Sequence, residues 1–298
     1  GAYRALGTVA NLYNSKLGAH VRFQALPTPF DVYTDGIENP VFEEFGAGTE
    51  ALHLEDVDAR RQLMGAPGYQ QMFRKQWTSK VAPRAYHRNL SEARIVSAPD
   101  ASLDGRTFAE VATQRGADPL DTFLDLQATY GNDLRWYTVI ANANADHLQS
   151  IVSHPAAMIG FSDAGAHLRN MAFYNFPLRM LKRVRDAELA GAPFMSVQQA
   201  VHKLTADIAD FHRIDAGRLA VGKRADVVVI DPERLDDSVE EVHEQQMVGF
   251  GDLDRLVRRN DDTVRAVLVN GRVAWRGGIP AADLGTAKHY GQFLPLGG

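Results

Sequence analysis

Between Trp136 and Phe161 the chain places two apolar strands on either side of a short helix. Trp136-Tyr137-Thr138-Val139-Ile140 has a buried-strand pattern, Ala145 to Val152 has helix spacing, and Ala157-Met158-Ile159-Gly160-Phe161 is a second strand. Strand, helix and strand within about 25 residues predict a βαβ unit, which requires a crossover and favours parallel pairing. The second strand then delivers Asp163 at its C-terminal end. In parallel α/β folds that edge is where ligands bind and reacting groups sit. Gly165 lets the backbone turn sharply two residues later, and His167 and Arg169 bring an imidazole and a guanidinium nearby. An Asp so placed can ligate a metal, accept a proton from metal-bound water, or both. It can equally cap the following helix, and spacing alone does not choose.

Around this segment, residues 3–17 read as an amphipathic helix. Residues 19–26 alternate as a strand that Pro27 and Pro29 end. Thr28 to Thr49 is rich in Gly, Pro, Asp and Asn and carries Phe30, Tyr33, Phe42 and Phe45. It is expected to be irregular, either building a site or lid or forming a surface loop pinned by its aromatics. Helices are expected over 55–64, 67–77, 107–112, 119–126, 174–189 and 196–209, with a short strand at 94–97. Near residue 215 the texture becomes mostly β. Gly217-Arg218-Leu219, Gly222-Lys223-Arg224, Ala225–Asp231 and Ala266–Trp275 read as short strands, and Asn270-Gly271 is a two-residue hairpin signal. The expected divisions are 1–212, 213–284 and a tail of 285–298.

The 298 residues carry a net charge of −5, which gives no electrostatic reason to expect nucleic acid or an anionic membrane surface. No apolar run approaches the roughly 20 residues that span a bilayer. The absence of cysteine excludes disulfides, thiolate ligands and a cysteine nucleophile, and fits a cytoplasmic protein.

Several segments, in order, resemble the amidohydrolase superfamily, and within it the N-acyl-D-amino-acid deacylase (D-aminoacylase) type. Ile159–Gly165 is similar to the "GSDG"-like segment after the last barrel strand, and Leu204–Ala209 to an "LT…PA" helix. Ile214–Pro232 resembles the family's return to a small β-sandwich, and Val267–Val273 its closing hairpin. Gly105–Ala112 and Gly116–Asp121 look like the "GKSLAELA…GKDPLD" stretch of the deacylase branch. The resemblance implies an α/β fold in which the chain is the C-terminal part of a (β/α)8 TIM-like barrel followed by a β-sandwich lobe. It implies a zinc centre, hydrolysis of a small-molecule amide, and Asp163 as both a metal ligand and the general base on metal-activated water. It also implies Arg169, and with it His167, as holders of the substrate carboxylate, because a guanidinium pairs with a carboxylate through two parallel hydrogen bonds. For Arg169 the plain alternative is a surface salt bridge. Tyr33 is similarly placed in an aromatic substrate loop, or simply packs.

The departures are as informative. No two of the ten histidines have His-x-His spacing, so the ligands expected on early barrel strands do not map here. His20, His147 and His154 have strand, helix and turn contexts without a ligand pattern. A complete barrel takes about 250 residues, whereas the lobe is placed here from residue 213. With the Gly1 start lacking Met, the chain reads as a fragment that alone binds zinc weakly and is inactive. An incomplete barrel leaves strand edges open, so a homo-oligomer or pairing with the missing N-terminal portion is expected.

Overall fold

The computed structural model describes residues 2–81, 84–163, 165–249, 251 and 253–296, so Gly1 and Ala164 of the segments above lie outside the described residues. The chain begins with α1 (Ala2–Leu17), β1 (Phe23–Gln24), β2 (Phe30–Asp35), α2 (Gly46–Leu52), α3 (Val57–Gly65) and α4 (Pro67–Trp77). It continues with β3 (Arg94–Ser97), α5 (Phe108–Arg115), α6 (Pro119–Tyr130), β4 (Arg135–Ala141), α7 (Ala145–Ser153) and β5 (Ala157–Met158). Helices α8 (Phe176–Leu189), α9 (Val197–Leu204) and α10 (Ala206–His212) come next. Strands β6 (Val227–Ile230), β7 (His243–Gln246), β8 (Asp254–Val257), β9 (Val264–Val269), β10 (Arg272–Arg276) and β11 (Ile279–Pro280) close the chain. This is an α/β chain, and none of its described helices is long and apolar enough to cross a membrane.

It divides into two compact units. One unit is Pro29–Ala143 with His167–Met171; the other is Gly1–Thr28, Asn144–Ala166 and Ala172–Gly298.

The Pro29–Ala143 unit is built on an antiparallel sheet in the order β2-β4-β3. The segment expected to be irregular is therefore structured. Phe30–Asp35 is a strand, Pro40–Glu44 a 3-10 turn capped by Asn39, and α2 follows. Its strand escapes a hydrophobicity reading because Asp31 and Thr34 are the buried polar residues of the run. Phe42, Phe73, Phe108, Phe123 and Trp136 are all fully buried here. Phe123 meets Trp136 edge-on at 5.7 Å and Phe108 at 5.0 Å, the geometry that aromatic quadrupoles favour. The Trp136 indole donates to Gly36 O at 2.6 Å. A side chain at Gly48 would place Cβ 2.0 Å from Phe42 O, so only glycine lets α2 fold back on the preceding turn. Thr107 and Glu110 form a reciprocal capping box on α5, and Asp118 caps α6 ahead of Pro119.

The expected parallel unit of β4, α7 and β5 does not form: β4 belongs to the antiparallel sheet, and β5 pairs in parallel with β1. Both β1 and β5 are shorter than their apolar runs. Their ladder is carried by Phe23 N to Ala156 O and Ala25 N to Met158 O, each 3.0 Å, and Pro27 has no N–H to extend it. Side chains clip the same place. Arg22 donates to Pro155 O at 2.6 Å and pairs with Asp207, while Lys203 donates to His154 O and Ala157 O. Beneath lies a core of Leu148, Val152, Ile159, Met180 and Val184. The C-terminal strands form a sheet in the order β11-β10-β9-β6, and β7 pairs with β8. Asn270 and Gly271 have φ of 51° and 78° between β9 and β10, as a two-residue hairpin turn demands. Gly217-Arg218-Leu219 and Gly222-Lys223-Arg224 are not strands. Gly217 has φ 76° and presses on the Thr205 backbone, which turns the chain instead of extending it.

His154 sits at the end of α7 with its ring 5.3 Å from Phe23, its Nδ1 accepting from Ala156 N. Burial, assisted by the Lys203 charge, holds its pKa below the ordinary value of 6.5. The unfolded chain therefore takes up a proton in a range where the folded chain does not, and stability falls as pH drops below about 6.5. Urea midpoints measured between pH 7.5 and 5.5 are expected to fall less in His154→Gln than in the wild type; parallel curves would contradict this.

Candidate functional site

Ala157, Met158 and Ile159 are buried, and the chain then leaves the core so that Asp163 is exposed. Asp163 is not a helix cap, because the next helix is α8, whose N-cap is Asn175. Its backbone oxygen accepts from Ala166 N at 3.2 Å, while its carboxylate makes no hydrogen bond or ion pair among the described residues. Asp163 and His167 have φ of 47° and 51°, and Gly165 between them 99°. Left-handed backbone at a residue with a side chain costs about 1–3 kcal/mol and gathers where a side chain must be aimed. Two such residues fall here within five positions. His167 O accepts from Asn170 N at 2.8 Å and Met171 N at 3.1 Å, fixing the turn that follows.

The residues singled out by sequence divide between the two units. Asp163 belongs to the unit of α7 and β5, whereas Tyr33, His167 and Arg169 belong to the Pro29–Ala143 unit. Arg169 makes a two-pronged contact with this chain's own Asp35. Its Nε reaches Oδ2 at 3.0 Å and its Nη2 reaches Oδ1 at 3.1 Å. Arg135 joins from the other side, with Nη1 on Asp35 Oδ1 at 2.5 Å and Nη2 on Arg169 O at 3.0 Å. Tyr33 N donates to Asn170 O, and the Tyr33 ring lies 5.1 Å from Tyr137 and 5.4 Å from the Arg135 guanidinium. Tyr33, Asp35, Arg135 and Arg169 are thus one connected cluster. His167 faces elsewhere, lining a cavity of about 630 Å³ with Glu38, Glu43, His53, Arg60 and Asn170.

Asp35 and Arg135 escaped the sequence reading, as did Glu38, Glu43, Arg60 and Asn170 of the cavity. The signal was thin: an Asp-Gly pair ends an aromatic run at 35–36, and an arginine opens the apolar run at 135. Among the described residues no three His, Asp or Glu side chains converge as a metal site. The described residues therefore do not fit a metal ion on their own.

Residues 49–274 match the amidohydrolase family, and the chain belongs to that family. Uncharacterized proteins of Mycobacterium bovis and Mycobacterium tuberculosis are each 49% identical over 279 residues, covering 93% of this chain and 46% of theirs. The chain therefore spans about half the length of the curated relatives it matches. Among solved structures it is similar to an N-acyl-D-glutamate deacylase from Bordetella bronchiseptica complexed with zinc and a phosphonate inhibitor. That pair shares 25% identity over 68% of this chain and 37% of the other, with a TM-score of 0.41. A D-aminoacylase shares 24% identity over 70% and 39%, with a TM-score of 0.39.

Asp35 has an 18% exposed side chain and Arg135 an 8% exposed one, so the shared carboxylate is more than a surface pair. Asp35→Asn is expected to lower unfolding free energy by about 3 kcal/mol. Asp215→Asn, which breaks an exposed pair with Lys223, is expected to change it by less than about 1 kcal/mol. Equal urea midpoints for the two variants would remove Asp35 from this role.

Proposed function

We propose that this chain is part of a metal-dependent amidohydrolase, with zinc as the metal, that cleaves the non-peptide C–N bond of N-acyl-D-amino acids. It is read as the C-terminal part of a (β/α)8 barrel, residues 1–212, with a β-sandwich lobe over 213–284 and a tail of 285–298. The observation that carries the reading is Asp163: an exposed, unengaged carboxylate on strained backbone, five residues beyond the end of β5 and inside the matched family region. Asp163 accepts a proton from the attacking water and returns it to the leaving amine. Arg169, with its guanidinium plane set by Asp35, is assigned to the substrate carboxylate, and His167 and Tyr33 to further substrate contacts. The absence of cysteine accords with a cytoplasmic protein.

The test is hydrolysis of a panel of N-acetyl-D-amino acids by this chain and by the intact gene product. In whichever form turns over, Asp163→Asn is expected to reduce kcat by at least about a hundredfold with an unchanged circular dichroism spectrum. Full turnover in that variant would remove Asp163 as the base. A second reading, a non-catalytic partner subunit or small-molecule binding module, draws on the absence of a metal-binding trio among the described residues. Zinc binding in neither form would favour it.

Association with a further polypeptide segment or a second copy belongs to the same proposal. Strand β6 is an edge of its sheet, yet Val228 and Val229 are 54% and 44% exposed, an apolar edge of the kind that recruits another strand. Light scattering on dilute protein is expected to show self-association of this chain; a well-behaved monomer would count against the second copy.

A further inference from the structure

We propose that the cavity lined by Glu38, Glu43, His53 and His167 binds an organic cation: a primary ammonium or guanidinium on a chain of amino-acid side-chain length. The cavity lies wholly within the Pro29–Ala143 unit, and its volume of about 630 Å³ falls in the range of small-molecule sites. Among its lining residues Glu38, Glu43 and Asn170 present hydrogen-bond acceptors. Asn170 is only 8% exposed, and its Nδ2 donates to both Tyr33 O and Glu38 O at 2.8 Å. Those two bonds fix the amide, leaving Oδ1 as an acceptor with no donor among the described residues. Glu38 Oε1 takes Arg60 Nη1 at 2.8 Å and Asn132 Nδ2 at 2.7 Å, while its Oε2 takes neither. The Glu43 carboxylate has no partner among the described residues.

The one arginine of the wall does not offset this. Arg60 is buried, and its Nε, Nη1 and Nη2 donate to Ala51 O, Leu54 O, Glu38 and Asn132. The lining carries two carboxylates against one committed guanidinium, and the imidazole rings of His53 and His167 complete it. A negative, acceptor-lined wall repels anions and suits a ligand whose N–H donors are charged. The acceptors do not converge as a metal site, which matches donors spread over an organic cation rather than a single ion. This goes beyond the amidohydrolase reading, and its binding test stands whether or not that reading holds.

The probes are n-butylammonium and n-butylguanidinium chloride, with sodium n-butyrate as the anionic control. Binding is read by calorimetry and by NMR of the His53 and His167 ring protons. Both cations are expected to bind saturably and shift both histidines, and butyrate to do neither. Glu43 is exposed, so its variants should fold. Glu43→Gln is expected to weaken cation binding about tenfold, the loss of one charge-assisted hydrogen bond, and Glu43→Lys to abolish it. Butyrate binding as tightly as the cations, no saturable shift with either cation, or affinity unchanged in both variants would each overturn the proposal. Kinetics of the intact enzyme separate two sources of the cation. A basic substrate side chain predicts that Glu43→Gln lowers kcat/KM for amides of basic amino acids only. A free amine predicts that added butylammonium changes turnover of all substrates alike, and that Glu43→Gln removes the effect.

Discussion

Phe30 lies opposite Ala141 across the β2–β4 ladder, and the rest of the chain's closure depends on that pairing. Strands β1 and β5 are more than a hundred residues apart in sequence and share only a two-residue register. Bringing together the ends of a flexible loop that long costs roughly 4 kcal/mol more than closing a minimal one, beyond what a pair of backbone hydrogen bonds at about 1 kcal/mol each supplies. The ladder removes most of that cost. Once Phe30 and Ala141 are paired, only the short stretches from Ala25 to Pro29 and from Asn142 to Ala156 remain to be ordered. The fully buried aromatic core around Phe123 and Trp136 stabilises the intervening residues as a unit of their own. Arg22 and Lys203, donating to carbonyls on either side of Ala156, then secure the short ladder from its flank.

A strand held so firmly at Ala157–Ile159 can carry strain just beyond it. Asp163 and His167 both hold left-handed backbone without being glycine, and the bonds from Asn170 N and Met171 N to His167 O fix the turn that follows the second. The strain therefore separates Asp163 from the many exposed aspartates of this chain more sharply than its exposure does.

Local rules were legible where both partners of an interaction lie close in sequence. The Asn270-Gly271 hairpin, the Thr107–Glu110 cap and the Pro119 helix start could be read from a few residues each, and the structure has them. Strand β2 was not legible, because its buried positions include Asp31 and Thr34 and its apolar pattern is broken. The parallel partner of β5 was not legible either. An apolar run announces a strand but not its neighbour, and the nearest run, Trp136–Ile140, is committed to β2 and β3. Gly217 and Gly222, expected to open short strands, turn the chain instead.

Arg169 shows the same limit in chemistry. The family resemblance assigns it to a substrate carboxylate, while the carboxylate it meets in the structure belongs to Asp35, 134 positions away. No spacing rule reaches that far. The contact gives the arginine a second significance, because a guanidinium anchored through Nε and Nη2 is fixed in plane. Arg135 adds a second positive charge on the same carboxylate, bonding Asp35 and the Arg169 carbonyl together. Asp35 is thus shared by two cations on the side of the unit that carries Tyr33, while the cavity lined by His167 carries two carboxylates against one committed arginine. One compact unit therefore presents a cation-rich cluster and an anion-rich cavity. Side chains of Tyr33 and Asp35 mark the first, Glu38 and Glu43 the second, and the short connection through Gly36 and Ile37 joins them.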